Sequence, residues 1–571
     1  MHGREPKGAF MKLVVVGGVA GGMSAAARAR RLDETAEIVV LERGEHVSFA
    51  NCGLPYYVGG EITDRDDLLV QTPDSLRAAL DLDVRTRHDV VGLDAQAKTL
   101  LVDTPAGRRS IDYDALVLSP GAAAVRPNLP GIDSPRVSTL RTVDDAIRMR
   151  DNVEAGASRA VVLGAGFIGV EAAEALSLRG LDVTLVELAH HVLPVVEPEL
   201  AALATDELGR LGIDVRTGVA ATAIEHRAEH DVVHLSDGTT VEADLVLLSV
   251  GVRPDTAVFE QAGVACERGA IITDERGRTN LDGVYAVGDA TISRDAISGE
   301  RRPVALAGPA NRAGRLVAEH ILRPESARPI PRPLATSIVR VGELTVATTG
   351  ATRQALRRDG RAFHTLHLHP NQHAGYFPGA SRLHLVVQVG EDGSLLGAQG
   401  VGPDGVDKRI DVLATAMRGG LHAADLIDLD LAYAPPYGSA KDPVNLVGMM
   451  AENVLNGTTR LWYADELEDL QDTALVLDVR SASEFDRGHV PGALNIPHTE
   501  LRDRVDEVRD AATGRPVRAY CASGMRSYIA HRVLAAAGLD SATLSGGILT
   551  LRAVLGREAV TPLRVPEPAG T

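Results

Sequence analysis

Two glycine-rich segments with the same order of strand, turn and helix constrain the fold of this chain more than any other feature. In the first, residues 12–42, an apolar run leads into glycines, a helical segment follows, and a second apolar run ends at Glu42. Gly17 and Gly22 let a pyrophosphate approach the N-terminus of the helix, and Glu42 can accept hydrogen bonds from ribose hydroxyls. Val19 occupies the middle position of the G-x-G-x-x-G pattern, so the motif is incomplete here.

The second segment, residues 160–187, carries the complete pattern. Gly164, Gly166 and Gly169 are in full register, and Glu187 ends the strand that follows the helix. Either glycine cluster alone could be a tight turn. Two such units in one chain instead predict an α/β protein with two Rossmann-like dinucleotide-binding domains.

The acidic residue of the second unit bears on the choice of nicotinamide cofactor. The Glu187 carboxylate accepts hydrogen bonds from a ribose 2′-OH and repels a 2′-phosphate. No Arg or Lys lies between Glu187 and Glu197, where His190 and His191 are found instead. We therefore expect NADH, and NADPH remains an alternative that the two histidines leave open.

A third landmark is the segment TNLDGVYAVGDA at 279–290, in which Gly288 and Asp289 follow a short apolar strand. The three landmarks, in this order, resemble the pyridine nucleotide-disulfide oxidoreductases over residues 11–455. The resemblance implies that the first unit and Gly288 bind FAD, with Asp289 holding the ribityl chain. It implies that the second unit binds NADH.

Cys52 lies just after the first unit, in the segment SFANCGLPYYVGG. Two-cysteine members of the family carry a C-x4-C pair here, whereas this chain has Val47, Ser48 and Phe49 where the second cysteine would fall. A lone cysteine must cycle as a mixed disulfide, a persulfide or a sulfenic acid. The motif resembles the coenzyme A disulfide reductases and their relatives, the NADH peroxidases and oxidases, which implies that Cys52 is catalytic. Cys266 is interpreted as a structural thiol.

Two later segments resemble the dimerisation domain of the same family. HAGYFPGA contains Tyr376, and LAYAPPYGSAKDPVN contains Tyr433, Tyr437 and Lys441. In the coenzyme A disulfide reductases two tyrosines of the partner subunit reach the active site. The resemblance therefore implies a homodimer in which the hydroxyls of Tyr376 and Tyr433 stabilise or protonate a departing coenzyme A thiolate. For Tyr437 the alternative is that it only shapes a turn.

The resemblance also implies a set of coenzyme A contacts, whether coenzyme A is substrate or bound ligand. Arg31 and Lys441 could pair with its phosphates. One family lysine is matched here by Leu80, which leaves the phosphoadenosine end with one cation fewer. The implied contacts are Ser24, Arg31, Ser48, Asn51, Asn311 and Lys441.

The C-terminal region begins a new pattern. LVLDVRSASEFDRGHVPGALNIP and VRAYCASGMRSYIAHRVLAAAG resemble a rhodanese domain. Cys521 begins a C-x4-R loop that ends at Arg526, the length of sulfur-transferring rhodaneses, whereas the related dual-specificity phosphatases have one residue more. Backbone N–H groups at a helix N-terminus would hold the Cys521 thiolate or its persulfide, with Arg526 nearby. The motif positions before the loop are Asp478, Arg480, Glu484, His489, Gly492 and Asn495.

Composition excludes several classes of function. The chain of 571 residues has a formal net charge of −18, which argues against nucleic-acid or anionic-membrane partners. It contains no run of 18 apolar residues, no secretory signal and only three cysteines, so we expect a cytoplasmic enzyme without a metal site. Residues 1–10 are interpreted as a disordered lead-in.

These features predict four domains. An FAD domain is split between 11–120 and 280–330, an NAD(P)H domain occupies 121–279, and an α+β dimerisation domain occupies 331–455. A hinge at 456–461 leads to an α/β rhodanese domain at 462–560.

Three functions are compatible with this organisation. The first is reduction of small disulfide or persulfide substrates, namely coenzyme A disulfide, coenzyme A persulfide or polysulfide, with sulfur handled at Cys521. The second is an NADH peroxidase or oxidase that uses Cys52 as a sulfenic acid. The third is a sulfur-carrier or scaffold protein with a regulatory flavin module, which the intact dinucleotide motifs disfavour.

Overall fold

A computed structural model describes residues 11–556, so the predicted lead-in at 1–10 and the last residues of the rhodanese domain lie outside the described residues. The described chain forms two compact units. One contains residues 11–190 and 211–335, and the other contains residues 191–210 and 336–556.

The FAD-side part of the first unit is built on a five-stranded parallel sheet in the order β3-β2-β1-β7-β20. Leu13 and Val15 face helices α1 and α8, while Val14 and Val16 face the antiparallel sheet β4-β5-β6. The elements up to residue 154 are β1 (Lys12–Val16), α1 (Ala20–Leu32), β2 (Glu37–Leu41), α2 (Leu54–Gly59), α3 (Pro73–Leu80), β3 (Asp83–Arg85), β4 (Asp89–Asp94), β5 (Thr99–Thr104), β6 (Gly107–Asp112), β7 (Ala115–Leu118), β8 (Ala122–Ala124), β9 (Val137–Ser138) and α4 (Val143–Glu154).

The NADH-side part repeats this plan. Its parallel sheet has the order β12-β11-β10-β16-β9, and the antiparallel sheet β13-β14-β15 packs against one face of it. The chain then returns through β20 to the first sheet, which confirms two Rossmann-like units with the first one split in sequence. The elements from residue 159 to residue 322, among which α6 belongs to the second unit, are β10 (Arg159–Leu163), α5 (Phe167–Leu178), β11 (Asp182–Glu187), α6 (Pro198–Arg210), β12 (Asp214–Thr217), β13 (Ala221–His226), β14 (Asp231–Leu235), β15 (Thr240–Ala243), β16 (Leu245–Leu248), β17 (Val252–Pro254), α7 (Ala257–Gln261), β18 (Cys266–Glu267), β19 (Ala270–Ile272), β20 (Val284–Ala286), β21 (Thr291–Arg294), β22 (Arg301–Pro303) and α8 (Ala307–Leu322).

The second unit begins with the α+β part that the sequence predicts. Its antiparallel sheet has the order β23-β24-β27-β26-β25. Leu366 and Leu368 of β25 pack with α10 and α11, so the alternate residues Thr365 and His367 face the other side of the sheet. The elements are β23 (Ser337–Val341), β24 (Leu344–Gly350), α9 (Arg353–Arg358), β25 (Phe363–Leu368), β26 (His384–Gly390), β27 (Leu395–Gly402), α10 (Val406–Gly419) and α11 (Pro443–Leu455).

The rhodanese part of this unit is a parallel sheet in the order β28-β32-β31-β29-β30, with a hydrophobic cluster on each face. Its elements are β28 (Leu461–Trp462), α12 (Leu467–Leu470), β29 (Leu475–Asp478), α13 (Ala482–Asp486), β30 (Leu494–Asn495), α14 (Val505–Ala512), β31 (Val517–Tyr520), α15 (Met525–Ala536), β32 (Ser541–Leu544) and α16 (Gly547–Leu555).

The segment 456–461, interpreted as a hinge, is hydrogen-bonded to the helix before it and to the rhodanese domain after it. The N–H of Thr459 donates to Asn453 in α11, and the carbonyl of Thr458 accepts from Arg532 in α15. The carbonyl of Arg460 accepts from Thr543 in β32. The segment is therefore an ordered connection between two parts of one compact unit. Within residues 11–556, no helix has the length and apolar character needed to cross a membrane.

Candidate functional site

The first glycine loop is closed by backbone contacts that no side chain could accommodate. Gly17 has a φ of +94°, and a Cβ atom on it would lie 1.9 Å from the carbonyl oxygen of Ser119. A Cβ atom on Gly22 would lie 2.0 Å from the carbonyl oxygen of Gly17. The Glu42 carboxylate accepts the N–H groups of Gly18 and Gly44, both at 2.8 Å. Two of its four lone-pair positions remain for ribose hydroxyls.

The second loop has the same geometry. Gly164 has a φ of +101°, and a Cβ atom on Gly169 would lie 1.9 Å from the Gly164 carbonyl oxygen. The Glu187 carboxylate accepts the N–H groups of Ala165 at 2.7 Å and Ala189 at 2.8 Å. Gly166 has no atom within 4 Å of a hypothetical Cβ, which leaves open space before the N-terminus of α5. Both loops therefore have the backbone geometry that a dinucleotide requires.

The strand beside Glu187 carries an arginine whose charge is already paired. Arg216, on the neighbouring strand β12, is one residue out of register with Glu187. Its Nε atom lies 2.9 Å from Asp214, so its charge is already paired. The expected preference for NADH agrees with this arrangement.

Cys52 lies in the short 3₁₀ turn Asn51–Gly53 that leads into α2. The residue is exposed, and it is a free thiol. Partial burial of the sulfur raises the pKa of the Cys52 thiol, and the carboxylates of Glu171 and Asp289 raise this pKa further. The charge of Arg141 lowers it. Cys266 lies in β18, where burial raises the pKa of its thiol, as it does for Cys52.

Three residues near Cys52 were not predicted from the sequence. Arg141 donates to the carbonyl of Ala122 at 3.0 Å and to Asp289 at 2.9 Å. The Tyr56 hydroxyl donates to Glu171 at 3.0 Å. Glu171 follows Gly169 by two positions on α5, and that spacing is the signal that could have identified it. Arg141, which precedes the capping residue of α4, carries no such signal.

Several of the predicted coenzyme A contacts lie on helices α1 and α8. A Cβ atom on Gly314 would lie 2.1 Å from the carbonyl oxygen of Gly21, so the two helices pack closely. This packing brings the Ser24 hydroxyl within 2.9 Å of Asn311, while Arg31 is exposed in the last turn of α1. Ser48 and Asn51 belong to the Cys52 segment, where the N–H of Ser48 donates to Gly18.

The predicted tyrosines lie together in the second unit. The hydroxyls of Tyr376 and Tyr433 are 3.4 Å apart, and the two side chains are 77% and 48% exposed. The hydrogen bond to Tyr433 raises the pKa of Tyr376. Tyr437 is also exposed, and Lys441 is exposed beside the start of α11.

Cys521 is the second thiol with a defined surrounding. It is 1% exposed and lies between β31 and α15. The N–H of Gly524 donates to the Cys521 sulfur at 3.2 Å, and the Ser527 hydroxyl donates to it at 3.4 Å. Gly524 has a φ of +103°, a conformation that turns its N–H back toward the sulfur and that other residues rarely adopt. The loop can hold a negatively charged sulfur, either a thiolate or a persulfide.

Arg526 is positioned by Glu484, a residue of the first half of the rhodanese motif. Its guanidinium donates two hydrogen bonds of 2.7 Å to the Glu484 carboxylate, which lower the pKa of Glu484 to about 2. Arg480 is buried against Asp478, and Asn495 donates to the carbonyl of Asp478 at 2.9 Å. The motif residues therefore hold the sheet edge from which the Cys521 loop emerges.

Comparison with known proteins agrees with this description. The family model "Pyridine nucleotide-disulphide oxidoreductase" matches residues 11–314, its dimerisation domain matches 336–443, and the rhodanese-like domain matches 462–552. The chain is 34% identical over 448 residues to the coenzyme A disulfide reductase of Staphylococcus haemolyticus, covering 78% of this chain and 100% of that protein.

Two solved structures cover nearly the whole chain. Reduced Bacillus anthracis CoADR-RHD is 39% identical with a TM-score of 0.94, covering 97% of this chain and 100% of that one. A NAD-dependent persulfide reductase from A. fulgidus is 34% identical with a TM-score of 0.88, covering 95% and 100%. The water-forming NADH oxidase from Lactobacillus brevis is 25% identical with a TM-score of 0.75, and it covers 78% of this chain and 99% of that one. With its two dinucleotide loops and single redox cysteine, the chain belongs to the pyridine nucleotide-disulphide oxidoreductase family, depends on FAD and NADH, and carries a rhodanese domain at its C-terminus.

Proposed function

We propose that this chain uses NADH to reduce coenzyme A disulfide, coenzyme A persulfide and polysulfide at Cys52, and that Cys521 accepts and passes on sulfane sulfur. The observation that carries the proposal is the presence of two unlike free thiols in one chain. Cys52 is exposed and has no second cysteine nearby in sequence, whereas Cys521 is buried among hydrogen-bond donors. The names of the relatives, coenzyme A disulfide reductase and persulfide reductase, support these substrates.

Bound FAD supplies the route by which two electrons pass from NADH to sulfur. The Cys52 thiolate attacks one sulfur of coenzyme A disulfide, a Cys52–coenzyme A disulfide forms, and one coenzyme A thiolate leaves. Reduction of this bond releases the second coenzyme A and restores Cys52. One NADH and one proton thus convert one disulfide into two thiols and NAD⁺. With coenzyme A persulfide the same attack releases hydrosulfide, and one coenzyme A follows after reduction.

Residues around Cys52 take separate parts in this chemistry. Arg141 opposes the rise in the pKa of Cys52 and so favours the thiolate that attacks. We assign the binding of coenzyme A to Ser24, Arg31, Ser48 and Asn51 together with Asn311 and Lys441. Support for the first group is the close packing of α1 and α8, which joins Ser24 to Asn311.

The dimerisation domain supports a homodimer as the working form of the enzyme. We propose that Tyr376 and Tyr433 act on the partner subunit's substrate. Their exposure leaves them available to a partner, and the phenolic hydroxyls can donate to the departing thiolate. Because the electron donor is NADH and all three cysteines are free, we also propose a cytoplasmic location.

NADH oxidation measured side by side with coenzyme A disulfide, coenzyme A persulfide, polysulfide and peroxide tests the proposal. Cys52→Ser should abolish turnover with every sulfur substrate, and Cys266→Ser serves as the matched control that should retain it. Peroxide turnover faster than that of any sulfur substrate would replace the proposal with an NADH peroxidase.

A further inference from the structure

A buried histidine joins the dimerisation sheet to the rhodanese domain. His367, in β25, is 4% exposed. Its Nδ1 atom lies 2.8 Å from the Ser545 hydroxyl, and its backbone N–H donates to the same hydroxyl at 3.2 Å. The Ser545 hydroxyl in turn donates to the carbonyl of Thr365 at 3.3 Å. One rhodanese side chain is thus held by three atoms of a single strand.

The Nε2 atom of the imidazole contacts one member of a pair of charged residues. The Nε2 atom lies 2.8 Å from Glu199 of α6, and Arg353 donates to the same carboxylate at 2.5 Å and to Glu197 at 2.7 Å. Burial by itself raises the pKa of Glu199, but the hydrogen bond and charge of His367 together with Arg353 lower it to about 2. An ionised carboxylate only accepts, so the Nε2 N–H donates to Glu199, and contacts at both ring nitrogens determine the orientation of the ring.

On the rhodanese side, Ser545 begins a short segment that also contacts the catalytic loop. We call residues 545–549 the docking segment. A Cβ atom on Gly546 would lie 2.7 Å from the Cβ atom of His367. The next N–H groups donate to the catalytic loop, Ile548 to the carbonyl of Cys521 at 2.9 Å and Leu549 to that of Ala522 at 3.2 Å. One side of the segment contacts His367 while the other holds the backbone of the Cys521 loop.

We propose that His367 is a positioning residue for sulfur transfer: by holding Ser545 it orients the docking segment, and the docking segment orients the backbone that carries the Cys521 sulfur. Displacement of the Cys521 carbonyl moves the sulfur away from the N–H of Gly524 and the hydroxyl of Ser527, the groups that stabilise its charged forms. An apolar contact could attach the domain without defining its orientation, whereas these hydrogen bonds define it. The inference rests on the proposed sulfur transfer at Cys521.

The test measures sulfur transfer from thiosulfate to cyanide in the FAD-loaded full chain. Ser545→Ala and His367→Phe should each lower kcat about tenfold, the scale of one lost hydrogen bond, with little change in the KM for thiosulfate. The double variant should be no slower than the slower single variant, because both remove the same contact. Ser545→Thr, which keeps the hydroxyl, should restore most of the rate. NADH reduction of coenzyme A disulfide should stay within about twofold in all of them, since Cys52 does not depend on this contact.

Ser541→Ala is the matched control. Ser541 makes an equally buried hydrogen bond of 2.8 Å to His531 in the same domain, and its hydroxyl also donates to the His531 carbonyl rather than to the docking segment. The inference is wrong if Ser545→Ala transfers sulfur as fast as Ser541→Ala, or if the two single losses multiply in the double variant.

A second measurement separates this inference from the proposed function. Amide hydrogen exchange of residues 521–526 reports loop order without turnover and should speed up in Ser545→Ala but not in Ser541→Ala. Equal exchange in the two variants overturns the inference even if transfer is slow. Undiminished transfer in Cys521→Ala overturns the proposed role of Cys521 itself.

Discussion

Two glycines of the second loop allow the packing of the NADH domain to be separated from its contact with the cofactor. A Cβ atom on Gly169 would lie 1.9 Å from the Gly164 carbonyl oxygen and 2.7 Å from the Ser249 hydroxyl oxygen. The first distance is about 1.5 Å short of ordinary van der Waals contact. Gly169→Ala therefore requires α5 to move away from β10, and overpacking of this kind costs about 2–3 kcal/mol.

Gly166 differs because a Cβ atom there meets nothing within 4 Å. Its φ of −72° and ψ of −174° are accessible to alanine, so Gly166→Ala should change the free energy of unfolding by less than about 0.5 kcal/mol. The added methyl group occupies the space in front of α5, where the pyrophosphate of NADH approaches. We expect the KM for NADH to rise about tenfold or more.

Thermal unfolding and steady-state kinetics on the two FAD-loaded variants separate the packing role of Gly169 from the cofactor-binding role of Gly166. Gly169→Ala should lower the Tm by about 5 °C or more, while Gly166→Ala should leave the Tm unchanged and raise only the KM for NADH. An unchanged KM in Gly166→Ala would refute the assignment of this loop to the cofactor. An unchanged Tm in Gly169→Ala would refute the packing argument.

Three further predictions concern single groups. Cys52→Ser should keep the yellow flavin and lose NADH-driven reduction of disulfides and persulfides, because no neighbouring cysteine can relay electrons; full turnover would exclude the mechanism. NADH should give a higher kcat/KM than NADPH, because Glu187 repels a 2′-phosphate, and kinetics with both cofactors checks this. The Glu484–Arg526 pair should stabilise the chain fully above the pKa of an unfolded Glu, about 4.3, and progressively less as the pH falls toward 2, because folding lowers the pKa of Glu484. The Tm values of wild type and Glu484→Gln should therefore converge on acidification, and a constant gap would contradict the assignment.

The sequence predicted what depends on local backbone geometry. The glycine loops could be predicted because a positive φ or a close backbone approach leaves no other residue suitable. Their acidic partners could be predicted because they end the strand that follows each loop and helix. The Cys521 loop could be predicted because the loop and its flanking strand and helix are contiguous in the sequence. The roles of the predicted binding residues stay predictions.

Features that depend on packing between distant segments could not be predicted. Arg141 and Glu171 reach Cys52 only in the folded domain, and the His367–Ser545 contact spans 178 residues. The connection at 456–461 has the polar, glycine-containing composition of a hinge, yet its hydrogen bonds to α11, α15 and β32 make it ordered. Composition alone does not distinguish a free linker from a docked one.

That ordered connection changes how sulfur can move between the two thiols. A flexible tether would raise the effective concentration of Cys521 to about the millimolar range by letting the domain move as a whole. Here the rhodanese domain is held to the dimerisation sheet by the connection and by His367, so a swinging domain does not explain transfer. Transfer is explained instead by a small thiol that accepts sulfur at one site and releases it at the other. Coenzyme A is the thiol that the proposed reductase already uses.

Thiosulfate reduction by NADH should therefore depend on both Cys521 and catalytic amounts of coenzyme A. Thiosulfate gives its sulfane sulfur to the Cys521 thiolate and leaves as sulfite; the Cys521 persulfide then gives that sulfur to coenzyme A, and NADH reduces the resulting coenzyme A persulfide to hydrosulfide and coenzyme A. Cys521→Ala should lose this turnover at low thiosulfate and keep reduction of coenzyme A disulfide, which reaches Cys52 unaided. Full thiosulfate turnover in wild type without coenzyme A would show direct transfer between the cysteines, and an equal loss on both substrates in Cys521→Ala would make that residue structural.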